Sequence, residues 1–203
     1  MKKHTLPLAP ETFYHIYNRG INGEAIFKEE RNYPYFLDKY GQYIEPVAKT
    51  YAYCLLGNHF HFLIRTRSID DIASSDVIDQ YDQYDQYVSK QFSRLFISYS
   101  QTINKTYERS GSLFDRPFRR IPVHHDSYFS QLVAYIHHNP VKHGFTDDFM
   151  DYPHSSYWSH LEARKTKLKR NEVLNWFGGQ NEYRNFHLQQ LDRTLIKSVL
   201  IEM

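Results

Sequence analysis

Two short stretches of this chain hold side chains whose types and spacing could do chemistry. The first is Asn58-His59-Phe60-His61-Phe62-Leu63-Ile64. On a strand, alternate side chains share a face, so His59 and His61 point together while Phe60 and Phe62 point into a core. Two imidazoles so placed can chelate one divalent metal, although a lone His-x-His is more often a half-exposed strand. The second is Tyr135-Ile136-His137-His138-Asn139-Pro140. Tyr135 and Asn139 stand at i and i+4, neighbours on one helix face. Asn139 offers a hard carbonyl oxygen, which suits Mg or Mn. The Tyr135 phenol is a poor nucleophile at an unperturbed pKa of about 10, so a nearby metal or cation must help it. Taken alone, Tyr135 reads more readily as one aromatic among others on a core face, with Val133 and Ile136 beside it.

The elements that would position these residues follow from pattern. Phe13–Arg19 is rich in aromatic and branched residues and reads as a strand stopped by Gly20. Arg31–Val47 carries a helical stripe of Tyr33, Phe36, Leu37, Tyr40 and Ile44. Thr50–Leu56 and Phe60–Thr66 flank Gly57-Asn58 as an antiparallel pair. Val88–Glu108 reads as a helix with Phe92, Leu95, Phe96, Tyr99 and Ile103 on one face. Phe118–Val123 reads as a strand that Pro122 places at an edge or a strand end. Asp126 and Ser127 can cap a helix running to about Asn139 and ended by Pro140. The order β-α-β-β-α-β-α predicts an α+β, ferredoxin-like layer sandwich: an antiparallel sheet with helices packed on one face. The tail from Leu161 is basic first and then predicted helical over Leu188–Ile201.

Composition narrows the class. The chain has 203 residues and 24.4 kDa, the size of one domain with an appendage. Hydrophobic residues at 41% and charged residues at 24% exclude collagen-like, disulfide-scaffold and wholly disordered chains. No run approaches the roughly 18 apolar residues of a membrane span. The N-terminus lacks the apolar stretch of a secretory signal, and the lone Cys54 cannot form an internal disulfide, so a cytoplasmic setting is expected. Net charge is only +2, but it is uneven. Ser68–Val88 holds six aspartates and no Lys or Arg, and includes the tandem triplets Asp79-Gln80-Tyr81, Asp82-Gln83-Tyr84 and Asp85-Gln86-Tyr87. We read that segment as a solvated loop or an extension of the next helix, away from any anionic partner. Basic residues cluster elsewhere, as Lys105, Arg109, Arg116, Arg119 and Arg120, and as Arg164, Lys165, Lys167, Lys169 and Arg170. Such clusters suit a phosphate backbone, where each contact releases condensed counterions.

Four blocks in order carry a resemblance. They are Tyr14-His15-Ile16-Tyr17-Asn18-Arg19-Gly20, the His59-Phe60-His61 triplet, Gly111-Ser112-Leu113-Phe114-Asp115-Arg116-Pro117-Phe118-Arg119, and Tyr135-Ile136-His137-His138-Asn139-Pro140-Val141-Lys142-His143-Gly144. Together they resemble the single-tyrosine HUH transposases, and within these the branch associated with repetitive extragenic palindromes (REP). The likeness covers roughly Phe13 to Tyr157. Tyr152-Pro153-His154-Ser155-Ser156-Tyr157 also looks like the segment that usually follows the tyrosine helix. The aspartate-rich insertion departs from the pattern, and nothing from Lys165 onward matches it. A transposase domain over residues 1–160, with the insertion at about 68–88, and a basic helical extension over 161–203 are expected.

The resemblance implies roles. His59 and His61 bind a divalent metal (Mg or Mn), Asn139 takes the place of a third, amide ligand, and Tyr135 takes the place of the nucleophile. The implied reaction cleaves single-stranded DNA beside a hairpin through a 5′-phosphotyrosine link and rejoins it without a nucleotide cofactor. The implied partner is hairpin-forming single-stranded DNA, contacted through Lys105, Arg109, Arg116, Arg119 and Arg120; whether the protein is a homodimer stays open. Several alternatives stay open too. His138 could displace Asn139 as a ligand, His15 could face the same site, and Tyr128 is a rival nucleophile. A hairpin-binding protein that no longer transposes, and a metal-binding or RNA-processing protein of similar fold, remain the other readings.

Overall fold

The computed structural model describes residues 6–72, 81–123 and 127–189. The predicted helix over Leu188–Ile201 lies almost wholly outside them, as do part of the aspartate-rich segment and the proposed cap Asp126.

Four strands form one antiparallel sheet in the order β2-β3-β1-β4: β1 (Phe13–Arg19), β2 (Ala48–Leu56), β3 (His59–Thr66) and β4 (Arg119–Val123). This is the strand order and the all-antiparallel pairing of a ferredoxin-like sheet. β4 is an edge strand, which is where Pro122, with no N–H to donate, is tolerated. Alternation divides the strands between two cores. Tyr14, Ile16, Phe60, Phe62 and Ile64 face α1 (Asn32–Tyr43) and, beyond the short α2 (Ile69–Ile72), α3 (Tyr81–Thr106). Leu63, Ile121 and Val123 face the opposite way, against α4 (Ser127–Lys142). In β2 the register shifts between Thr50 and Ala52, a bulge that places Tyr51 and Ala52 consecutively in the second core and re-phases the rest of the strand.

α3 is longer than its predicted span. It begins at Tyr81, so the last two Asp-Gln-Tyr triplets are helical and Tyr84 is a core residue whose hydroxyl donates to Arg67 O. Tyr84, Val88, Phe92, Leu95, Tyr99 and Ile103 recur every three or four residues and are all buried. Asp85 turns inward: its Oδ1 accepts from Leu8 N at 2.7 Å and from Arg120 Nη1 at 3.1 Å.

α4 does not stop at Pro140 but runs to Lys142. The proline falls in the last turn, where its ring forfeits only the bond to the Ile136 carbonyl and few turns remain to disturb. Leu132 through His137 are buried without a break, because the helix is covered on both sides. The expected helix layer on one face holds for α1 and α3; α4 and the C-terminal helices add a second layer on the other. α5 (Tyr157–Leu161), α6 (Arg170–Phe177) and α7 (Gln180–Leu188) follow it. Residues 161–189, expected as an appended extension, share that second core: Val173 and Tyr183 are fully buried in it, and Trp176 stacks on Tyr51 with centroids 5.0 Å apart. Residues 154–169 also bond along β2, through Leu55 N to His154 O, Ser156 N to Tyr53 O and Lys169 N to Thr50 O.

Among the described residues no helix is long and apolar enough to cross a membrane.

Candidate active site

Antiparallel pairing sets Tyr17 opposite His61 and Arg19 opposite His59. The odd-numbered side chains of β1 and β3 therefore share the face that α4 covers. His15, His59 and His61 are all buried there. His61 Nδ1 lies 3.0 Å from His15 Nε2, and His59 Nδ1 lies 2.7 Å from Asn58 Oδ1. Tyr135 comes down from α4 and is 3% exposed. Its ring stands edge-on to His61 and His15, with centroids 6.1 and 6.3 Å away. Lys142 Nζ lies 5.5 Å from the centre of the Tyr135 ring, and His143 packs on His59 at 4.7 Å. Asn139, one turn after Tyr135, donates from Nδ2 to the Tyr135 carbonyl at 2.9 Å. The two predicted motifs, seventy-odd residues apart, thus meet across one helix–sheet interface.

Three buried atoms here have no hydrogen-bond partner: His59 Nε2, His61 Nε2 and Asn139 Oδ1. Buried polar atoms are normally satisfied, so three near one tyrosine need an explanation. Burial, reinforced by His143, Lys142 and Arg19, pushes the His59 pKa down to about 3. Burial, with His15 and His59 nearby, holds His61 well below the usual histidine range. Both rings are therefore neutral at pH 7, the state in which an imidazole ligates a metal. Two imidazole nitrogens and an amide oxygen are a donor set that suits a divalent cation. Among the described residues no group of three His, Cys, Asp or Glu could hold a metal.

The alternatives separate by geometry. His138 lies 2.8 Å by Nε2 from the His187 carbonyl on α7, away from this interface. His15 does face it. Tyr128 packs on the second core, one helix end away. Lys142 and His143 were missed as neighbours of the site; only the register of α4 over β3 reveals them.

The basic cluster divides. Lys105 and Arg116 are exposed. Arg119 pairs with Tyr17 across the sheet and so belongs to the histidine face. Arg120, the next residue, points the other way; its side chain is 8% exposed, bonded to Asp85 and Ser89 and lying over Phe118. Arg109 is spent on Glu24, Asn104 and the Ser112 carbonyl. Arg109 and Arg120, expected to meet DNA, are thus tied to the protein itself, because their neighbours offer carboxylates at 2.7 and 3.1 Å. In the second cluster Lys167 pairs with Glu45, Lys169 with Glu172 and Arg164 with Glu162. A groove of about 810 Å³ runs between α3 and Gly111–Phe118, with Arg116 and Arg120 in its lining.

The site is thus a four-stranded antiparallel sheet with buried paired histidines facing a helix-borne tyrosine. No family model matches the chain. The fold is that of a solved structure described as "Structure of the REP associates tyrosine transposase bound to a REP hairpin", with a TM-score of 0.57, 15% identity, and coverage of 79% of this chain and 86% of that one. In sequence, the chain is similar to a curated Haemophilus influenzae protein named "Putative REP-associated tyrosine transposase", at 28% identity over 117 residues. That match takes in 57% of this chain and 62% of the relative's own length. The likeness expected from the four blocks is therefore found in both sequence and fold.

Proposed function

We propose that the protein is a single-tyrosine transposase that cuts and rejoins single-stranded DNA at hairpin-flanked sites. The observation that carries this is the trio of partnerless buried atoms, His59 Nε2, His61 Nε2 and Asn139 Oδ1, at the interface that holds Tyr135. The solved structure of similar fold, bound to a REP hairpin, supports hairpin DNA as the ligand.

A divalent cation (Mg2+ or Mn2+) held by His59, His61 and Asn139 would polarise the scissile phosphate. The phenol oxygen of Tyr135 attacks the phosphorus, and the P–O3′ bond breaks. The phenol proton passes, through solvent, to the departing oxygen, so the products are a 5′-phosphotyrosine and a free 3′-OH. Attack by another 3′-OH reverses the step and joins strands with bond energy conserved. Lys142 supplies positive charge beside the Tyr135 ring, and Arg119 supplies it on the same sheet face. Lys105 and Arg116 offer exposed cations for the backbone.

Incubation with single-stranded hairpin DNA and Mn2+ tests this. A denaturation-resistant protein–DNA adduct is expected, with mass spectrometry placing the link at Tyr135. One observation favours a second reading. Tyr135 is almost fully buried, which suits a hairpin-binding protein that no longer cuts; tight hairpin binding with no adduct in Mg2+ or Mn2+ would select it.

A further inference from the structure

Both candidate histidine ligands use one ring nitrogen inside the protein. His59 Nδ1 meets Asn58 Oδ1 at 2.7 Å, and Asn58 Nδ2 donates to the Gly23 carbonyl at 3.3 Å, which orients the amide. An amide oxygen only accepts, so the hydrogen between them belongs to His59 Nδ1. His61 Nδ1 meets His15 Nε2 at 3.0 Å, and the two buried rings stack with centroids 5.1 Å apart. What remains of each ligand ring is Nε2, buried and without a partner in both.

We infer that Asn58 and His15 are positioning residues that hold His59 and His61 in the same Nδ1–H tautomer, so that both present an Nε2 lone pair to a divalent cation. The inference rests on the metal-binding reading of the site. A neutral imidazole has one N–H and one lone pair, and only the lone pair ligates. For His59 the amide decides the matter. For His61 the bond to His15 could carry its hydrogen on either ring. With the hydrogen on His15 Nε2, His61 would bury an N–H donor that nothing accepts; with it on His61 Nδ1, the buried atom is a lone pair that a cation satisfies. His15 then accepts through Nε2 and carries its own hydrogen on Nδ1. The two supports come from different places: Asn58 from the turn between β2 and β3, His15 from β1. A partner on the second nitrogen fixes both tautomer and ring orientation in metal-bound histidines, and its loss costs about 10- to 100-fold in metal affinity.

Imidazole 15N NMR on the metal-free full chain reads which nitrogen bears the hydrogen. Nδ1–H is expected at both His59 and His61. Nε2–H at His61 would remove His15 from the role, and Nε2–H at His59 would remove Asn58. His15→Phe keeps a flat ring and removes the acceptor; Asn58→Ala removes the other. Each should release the tautomer of its own partner and weaken Mn2+ binding by about 10- to 100-fold, with hairpin affinity unchanged. Asn58→Asp keeps an acceptor and should retain Nδ1–H at His59. Unchanged Mn2+ affinity in both His15→Phe and Asn58→Ala would overturn the positioning roles. If the wild-type protein binds no Mn2+, the metal reading itself fails; if it binds Mn2+ while the rings carry Nε2–H, only the positioning roles fail.

Discussion

At the scale of single residues, the oxygen of Tyr135 is the atom on which the proposed reaction turns. Tyr135→Phe keeps the ring against His15 and His61, so folding should suffer by no more than about 1.5 kcal/mol. The adduct should nonetheless vanish, because no other atom can form the link. Tyr128→Phe is the matched control and should still form the adduct. An adduct persisting in Tyr135→Phe and lost in Tyr128→Phe would move the nucleophile. The histidines make a separate claim. His59→Ala or His61→Ala should abolish metal-dependent cleavage while hairpin binding, measured by gel shift, stays largely intact, since phosphate contacts come mainly from Lys and Arg. Full cleavage by the double variant would end the metal hypothesis. These residues were legible because they are local: His-x-His needs only period-two alternation, and Tyr135 with Asn139 only one helical turn. Lys142, His143 and the support from His15 depend on which strand lies under which helix, and no local pattern encodes that.

At the scale of elements, β4 shows how alternation sorts neighbours of identical chemistry. Arg119 and Arg120 look alike in sequence, yet they belong to opposite faces. Arg120→Ala removes the guanidinium partner of Asp85, which keeps the Leu8 N–H and the Ser89 hydroxyl, and should cost about 1–3 kcal/mol in urea unfolding, with little change in DNA affinity. Arg116→Ala with Arg119→Ala should leave stability nearly unaltered and lower the slope of log K against log salt by about one per lost contact. An unchanged slope in that folded variant would place both residues away from DNA. The Asp-Gln-Tyr triplets teach a related lesson. Low complexity left two courses open, a solvated loop or an extension of the next helix; the last two triplets take the second, and Tyr84 takes a core place. α4 outran Pro140 because a missing N–H costs little in a final turn. Gly20 is a position where sequence gave only a strand stop: a Cβ there would sit 2.0 Å from the Glu24 carbonyl oxygen, so the turn leaving β1 has room for nothing larger.

At the scale of the whole molecule, the second core joins the tyrosine helix to the C-terminal helices through histidines. His137 Nδ1 lies 2.9 Å from His187 Nε2, and its Nε2 lies 2.8 Å from Ser156 Oγ. Burial pushes the His187 pKa down to about 3 and that of His160 to about 4, and holds His137 well below its usual value. These rings fold neutral, whereas the unfolded chain takes up protons below about pH 6.5. The stability they confer is complete above that pH and declines as pH falls through 6.5 towards 4. The loss reaches up to about 2 kcal/mol per ring at pH 5. Urea midpoints should therefore drop clearly between pH 7 and pH 5; equal midpoints would mean that the rings are charged in the fold. The sheet and its first helix layer were readable from periodicity. Of the second layer, α4 was readable from its cap and its proline, but α6 and α7 were not, because they are short, polar outside, and hold their place through scattered residues such as Val173, Trp176 and Tyr183 rather than through a repeating stripe.

That second layer also has a consequence for synthesis. Chains emerge from the ribosome N-terminus first, at about 5–20 residues per second. All four strands and the first helix layer are complete by Val123, yet the sheet face bearing Tyr51, Ala52, Cys54, Leu56 and Leu63 is covered only by residues that come later. For several seconds a nascent chain carries a finished sheet with one greasy side open to water. Both paired histidines lie on that open side until Tyr135 is brought over them. The residues from Ser127 onward thus close the second core and, in the same stroke, bring Tyr135 to the histidines.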